Sequence, residues 1–201
     1  MTVIGISGPT GAGKTTALHE LEKLGGCVLD GDAVYHELLE SNTALQNELR
    51  ERFGDMRDEN GRFDRKRLGK MVFHSRESLD DLNRIAHRHV MDELRRRLAQ
   101  AEQEGHPAAA IDGYALFESG CDKLCDTTVG VLAPAEIRVR RIMNREGISE
   151  DYARARVAAQ RDDAFYRQRC GHILMNDCAG LEEFGEKART FFQSVIQTTV
   201  K

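Results

Sequence analysis

A basic excess, long apolar runs and paired cysteines are all missing from this sequence, and each absence removes a class of protein. The 201 residues carry 29 lysines and arginines against 33 aspartates and glutamates, a formal charge of −4. Nucleic-acid and membrane surfaces both demand positive charge, so neither is an expected partner. No stretch approaches the roughly 20 apolar residues of a membrane span, and the N-terminus enters a β-branched run without the basic and apolar regions of a signal peptide. A cytoplasmic protein is expected. The five cysteines, Cys27, Cys121, Cys125, Cys170 and Cys178, form no C-x-x-C pair and no zinc-finger spacing, and their odd number leaves one outside any disulfide scheme. Cys121 and Cys125, separated by three residues, could share a helical face as metal ligands, but buried thiols are the simpler expectation. Prolines number only three, Pro9, Pro107 and Pro134, each at an expected element boundary. No internal repeat, low-complexity tract or long linker interrupts the chain.

What is present begins with composition. Apolar content of 40% with 31% charged residues is that of a globular chain rather than a disordered one. The length suits one domain with a real core, or one domain carrying a substantial insertion. The most informative segment is Gly8-Pro9-Thr10-Gly11-Ala12-Gly13-Lys14-Thr15, which fits G-x-x-x-x-G-K-[ST]. Thr2-Val3-Ile4-Gly5-Ile6 before it reads as a strand. Lys14 to Leu24 after it reads as a helix with Ala17, Leu18, Leu21 and Leu24 on one face. Strand, glycine-rich turn and helix N-terminus together make a cradle for a triphosphate, because backbone N–H groups converge there and the helix end carries partial positive charge. Gly11, Ala12, Gly13, Lys14, Thr15 and Thr16 are the phosphate-binding candidates, with Lys14 reaching the β- and γ-phosphates and the Thr15 hydroxyl on Mg²⁺.

The remaining pattern alternates strands with helices. Cys27-Val28-Leu29, ending at Asp30, reads as the second strand after the helix stop at Gly25-Gly26. Ala108 to Ile111, ending at Asp112, reads as the third, Thr127 to Leu132 as the fourth and His172 to Met175 as the fifth. A last amphipathic helix carries Leu181, Phe184, Ala188, Phe191 and Val195. These elements imply an α/β fold of the P-loop NTPase type, a parallel five-stranded sheet flanked by helices. Between Asp32 and Gly105 no strand is expected but several helices are, the longest with Leu79, Leu82, Ala86, Val90, Leu94, Leu98 and Ala101 in register. This segment is expected to be an inserted helical subdomain for a second substrate. The expected organisation is therefore a single domain, 1–201, with a core of 1–31 and 106–201, an acceptor-binding insertion at about 32–105 and an arginine-bearing lid at about 138–165.

Several separate stretches resemble the dephospho-coenzyme A kinase family of P-loop kinases. Leu29-Asp30-Gly31-Asp32 matches its D-x-D after the second strand. Gly61-Arg62-Phe63-Asp64-Arg65 with Leu68 and Val72-Phe73 is similar to its segment of a glycine, then Asp-Arg, a leucine and Val-Phe, and Leu82-Asn83, Ile85 and His87 to its L-N-x-I-x-H-P. Asp112 with Leu116-Phe117-Glu118, Arg141 to Arg145 with Ile148-Ser149, and Asn176 after the last strand extend the likeness. The family's proline after the histidine is Arg88 here, and its proline-leucine before Leu116 is Tyr114-Ala115. Both differences fall near the expected acceptor pocket.

The resemblance implies phosphorylation of the ribose 3′-hydroxyl of dephospho-coenzyme A by ATP with Mg²⁺, the last step of coenzyme A biosynthesis. It favours Asp32 as the base that orients the acceptor hydroxyl, although either Asp30 or Asp32 could simply cap the next helix. It makes Arg141 and Arg145, four apart and so on one helical face, lid residues for the transferring group, where a solvated basic face is the plainer alternative. Asn176 would join the ATP site. His87 and Arg65 would line the acceptor site, with a satisfied polar group and an exposed helix start as their alternatives. Asp112 would organise magnesium-bound water or merely end its strand. A monomer or weak homo-oligomer is expected. Another P-loop kinase and an inactive nucleotide-binding paralogue remain as rival readings. A GTPase is disfavoured, since no N-K-x-D motif occurs and Cys121-Asp122-Lys123 offers no substitute.

Overall fold

The computed structural model describes residues 1–59, 63–113 and 115–199. The chain opens with β1 (Thr2–Ser7), α1 (Lys14–Lys23) and β2 (Cys27–Asp30). The helices α2 (Gly31–Ser41), α3 (Thr43–Phe53), α4 (Arg65–Phe73) and α5 (Arg76–Gln103) follow. It then passes through β3 (Ala108–Asp112), β4 (Thr127–Leu132), α6 (Ala135–Glu146), α7 (Glu150–Ala158), α8 (Asp163–Arg169), β5 (His172–Met175) and α9 (Leu181–Thr199). Two compact units result: Met1–Leu29 with the chain from Leu98 onward, and Asp30–Arg97.

In the first unit the strands form one sheet of order β2-β3-β1-β4-β5, with β1 parallel to both β3 and β4, and β4 parallel to β5. All five expected strands are found at their expected positions. They are short apolar runs because the sheet is covered: Ala108, Ala109, Ala110 and Ile111 of β3 are fully buried. Ile4 and Ile6 of β1 with Val129 and Val131 of β4 meet Leu18 and Leu21 of α1 and Phe184 and Phe192 of α9 in one core. Parallel pairing puts the C-terminal ends of β1 and β3 side by side, Ile6 opposite Asp112, so the loop after β1 leaves the sheet at the edge where α/β proteins bind ligands.

A buried carboxylate joins α1 to α9. Glu20, 5% exposed, accepts from Lys23 Nζ at 2.7 Å and from Arg189 Nε and Nη2 at 2.9 and 2.7 Å. The bonds from Lys23 and then Arg189 hold its carboxyl below the ordinary value of 4.5. Its stabilisation is therefore complete above that value and is lost as pH falls through the lowered one. Glu20→Ala is expected to cost roughly 2 kcal/mol, a discounted value because both cations are half exposed to water. Differential scanning calorimetry at pH 7 checks this as a fall in Tm of roughly 4–8 °C, and the difference from wild type should shrink in acid.

The second unit is helical, as expected. Among the described residues its β structure is limited to a single bridge, Arg57 with Phe63. Side-chain caps begin each of its four helices, with Ser75 Oγ accepting the Ser78 N–H at 3.1 Å before α5. Asp30 accepts from the N–H groups of Asp32 and Ala33 at 2.9 Å, Asn42 from Leu45 and Asp64 from Arg67. Leu38, Leu39, Leu45, Leu49, Phe53, Val90 and Leu94 are buried. No helix among the described residues is long and apolar enough to cross a membrane.

Candidate active site

The phosphate loop takes its shape from glycine. Gly13 has φ +106°, and a Cβ there would lie 2.3 Å from Asn176 Nδ2. At Gly8, φ +151°, a Cβ would meet the Val131 carbonyl oxygen at 2.2 Å. A side chain at Gly8 would displace β4 backbone, and one at Gly13 would drive out the Asn176 amide, each at a φ that side chains rarely adopt. Gly13 caps α1 with no side-chain acceptor, so the first-turn N–H groups of α1 are left for an anion. A cleft of about 430 Å³ opens in front of them, lined by Gly11, Gly13, Lys14, Thr15, Thr16, Arg141, Arg145, Arg156 and Asn176 with Pro9, Thr10 and Leu181. Four cationic side chains on one cleft select a polyanion.

Long-range hydrogen bonds fix this wall. Asn176, buried after β5, donates from Nδ2 to the Ala12 carbonyl at 2.8 Å and accepts from Arg141 Nη2 at 3.0 Å. Arg141 Nη1 also donates to the Gly11 carbonyl at 3.2 Å. Burial lowers the pKa of Arg141, but a guanidinium stays charged. On the other side of the loop, Arg138 donates to the Thr10 carbonyl at 3.0 Å and to Gln160 Oε1 at 2.6 Å, and Gln160 accepts the Thr10 N–H at 2.9 Å. Lys14 Nζ donates to the Gly8 carbonyl at 3.0 Å.

Ala12 enters the loop through its backbone. It is fully buried and outside the cleft lining, because its N–H closes a turn on the Pro9 carbonyl at 3.2 Å while its own carbonyl receives Asn176. Gly11, Gly13, Lys14, Thr15, Thr16, Arg141, Arg145 and Asn176 do come together. Asp112 ends β3 in the same unit. Arg156 and Gln160 escaped the sequence reading. Arg156 sits in a charge-rich helix that resembles any solvated face, and a lone glutamine carries no motif.

The acceptor candidates belong to the second unit. Asp32 stands exposed in the first turn of α2, while the capping acceptor is Asp30. Arg65 opens α4, pairs with Glu40 and lines a separate cavity of about 770 Å³ with Gln46, Asp58, Phe63 and Lys66. His87 is half-buried on α5, and burial lowers its pKa. Arg88 pairs with Glu48, and α5 runs unbroken through it, whereas the proline of the family pattern would interrupt the helix. Gly61, Arg62 and Tyr114 lie outside the described residues.

All five cysteines are free thiols, Cys121 and Cys178 buried and the others partly so. Burial raises Cys27, Cys125, Cys170 and Cys178, Cys125 to about 12 and Cys170 to about 11, and no group of three metal-binding side chains occurs among the described residues.

The family model for dephospho-CoA kinase matches residues 2–182. The chain belongs to the dephospho-CoA kinase family. It is 35% identical over 177 residues to the dephospho-CoA kinase of Corynebacterium diphtheriae, covering 88% of each chain. To that of Corynebacterium glutamicum it is 32% identical over 197 residues, covering 98% of each. Among solved structures, TT1252 from Thermus thermophilus superposes with a TM-score of 0.75 at 32% identity, with 96% of both chains covered. Dephospho-CoA kinase from Campylobacter jejuni superposes with a TM-score of 0.63 at 20% identity over 96% of this chain and 97% of that one, which speaks for the fold alone. Dephospho-CoA kinases carry out the last step of coenzyme A biosynthesis, and the chain carries the glycine-rich phosphate loop of such kinases.

Proposed function

We propose that this chain transfers the γ-phosphoryl group of ATP to the ribose 3′-hydroxyl of dephospho-coenzyme A, releasing ADP and coenzyme A. The observation that carries the proposal is the convergence of Lys14, Arg141, Arg145 and Arg156 on one phosphate loop, in a chain whose family match spans residues 2–182. Phosphoryl transfer asks the protein mainly for alignment and for cations facing the equatorial oxygens. Loop amides and Lys14 would hold the β- and γ-phosphates, and Arg145 and Arg141 would flank the transferring group. Asp32 would orient the acceptor hydroxyl and take its proton. Arg65 would meet the acceptor's phosphates and His87 its nucleotide. The second unit is then the acceptor-binding insertion, and residues 138–165, which span α6 to α8, form the lid.

The donor set suits Mg²⁺. That ion takes few protein ligands beside phosphate oxygens and water, and the Thr15 hydroxyl lines the cleft while the Asp112 carboxylate ends the neighbouring strand. Thr15 would hold the ion directly and Asp112 through water. When bound, Mg²⁺ neutralises charge on the β- and γ-phosphates. We further infer a cytoplasmic enzyme.

A coupled ADP-release assay with Mg-ATP tests the assignment. Dephospho-coenzyme A should exceed nucleoside monophosphates by ~10²-fold or more in kcat/KM. ADP release at background with that acceptor removes the proposal. The unbroken α5 at Arg88 favours one alternative, a different small-molecule acceptor, which the same assay would reveal as a reversed preference.

A further inference from the structure

One carboxylate joins two of the arginines on the phosphate cleft. Glu146, the last residue of α6, accepts from Arg145 Nη2 through Oε1 at 2.7 Å and from Arg156 Nη1 through Oε2. Its side chain is 28% exposed, that of Arg156 35% and that of Arg145 60%, so water and salt reach both pairs and their worth lies in aim rather than in stability. Arg145 and then Arg156 hold its carboxyl below the usual glutamate range. The surrounding hairpin is built to keep this arrangement. Gly147 leaves α6 at φ +66° with its N–H on the Met143 carbonyl at 2.8 Å, and Ser149 caps α7. Val139 and Ile142 of α6 pack on Ala153 of α7, with Met143, Ile148 and Val157 around them. Arg154, two residues before Arg156 and so on another side of α7, is held by both carboxylate oxygens of Glu136 at 2.7 and 2.8 Å. Only Arg156 of that pair lines the cleft. Two guanidiniums sharing one carboxylate keep a net positive charge facing the phosphates, and their long side chains are ordered before any anion arrives.

We propose that Glu146 is a positioning residue for phosphoryl transfer, acting by aiming Arg145 and Arg156 together at the transferring group. This makes Arg156 a further phosphate-facing arginine of the lid. The proposal rests on the kinase reading above, because it presumes a transferring phosphoryl group.

The test compares Glu146→Ala, Glu146→Gln, Arg156→Ala and the Glu146→Ala/Arg156→Ala pair at saturating dephospho-coenzyme A and varied Mg-ATP, with Tm measured for each. Misaimed arginines should lower kcat of Glu146→Ala by ~10–100-fold while KM for ATP stays within about threefold. Glu146→Gln, which keeps one acceptor oxygen, should fall between that variant and wild type, and it serves as the test if the alanine variant fails to fold. The double variant should be slower than Arg156→Ala only by the share that acts through Arg145, so its loss should fall well short of the product of the two single losses. Losses that multiply in the double variant, or a Glu146→Ala kcat within about twofold of wild type, overturn the proposal and leave the kinase assignment intact. An inert wild type overturns the assignment, and the proposal with it.

Discussion

Asp32→Asn lowers kcat by ~10²–10⁴-fold in the expected result, the usual worth of a general base, while Mg-ATP affinity stays within about twofold. Asparagine keeps the size and polarity of aspartate but cannot take a proton from the acceptor hydroxyl. The fold should tolerate the change because the cap of α2 belongs to Asp30, whose carboxylate accepts from the N–H groups of residues 32 and 33. What Asp32 adds to α2 is a negative charge in the first turn, worth only ~0.3–1 kcal/mol. Steady-state kinetics with titration calorimetry for Mg-ATP separates the outcomes. A variant that loses ATP binding along with turnover assigns Asp32 a structural part, and an unchanged kcat removes it as the base.

Lys14→Met should lower kcat by ~10²–10³-fold, the cost of deleting one preorganised donor to developing charge, and should also weaken Mg-ATP binding. Methionine retains the apolar stem and removes only the ammonium. That group has three donors, of which one reaches the Gly8 carbonyl at 3.0 Å, leaving two for phosphate oxygens. Tm should move little, since the loop is shaped by Gly8, Gly13 and the Asn176 bond to Ala12 rather than by Lys14. A kcat/KM within tenfold of wild type would mean that loop amides and arginines hold the triphosphate unaided. The two variants differ in kind: Asp32→Asn should spare nucleotide affinity and Lys14→Met should not.

The fold was legible wherever a local pattern sufficed. Each strand is a short run with a Gly, Pro or Asp at or near at least one end, and Ala108–Asp112 needed no more than that to be found. The phosphate loop was legible because glycine, lysine and threonine at fixed offsets answer a local demand of backbone and phosphate. Asp30 as a cap was one of two open choices, settled by its bonds to Asp32 and Ala33. The turn bond from the Ala12 N–H to the Pro9 carbonyl is not encoded in the motif and came only from the structure. Arg156 was missed because a helix rich in Arg, Asp and Glu looks alike on every face until a neighbour selects one.

By itself the sequence determined the glycine-rich loop between strand and helix, the alternation of strand and helix, and the succession of helices α2 to α5, all consequences of forces between near neighbours. Tertiary structure alone decided the strand order β2-β3-β1-β4-β5 and the partners of the loop: Asn176 on Ala12, Arg138 and Gln160 on Thr10, Arg141 on Gly11. Those partners lie more than a hundred residues away along the chain. Contacts of that reach leave no periodicity in a sequence, because they are set by which helix packs over which strand, and only the closed core fixes that.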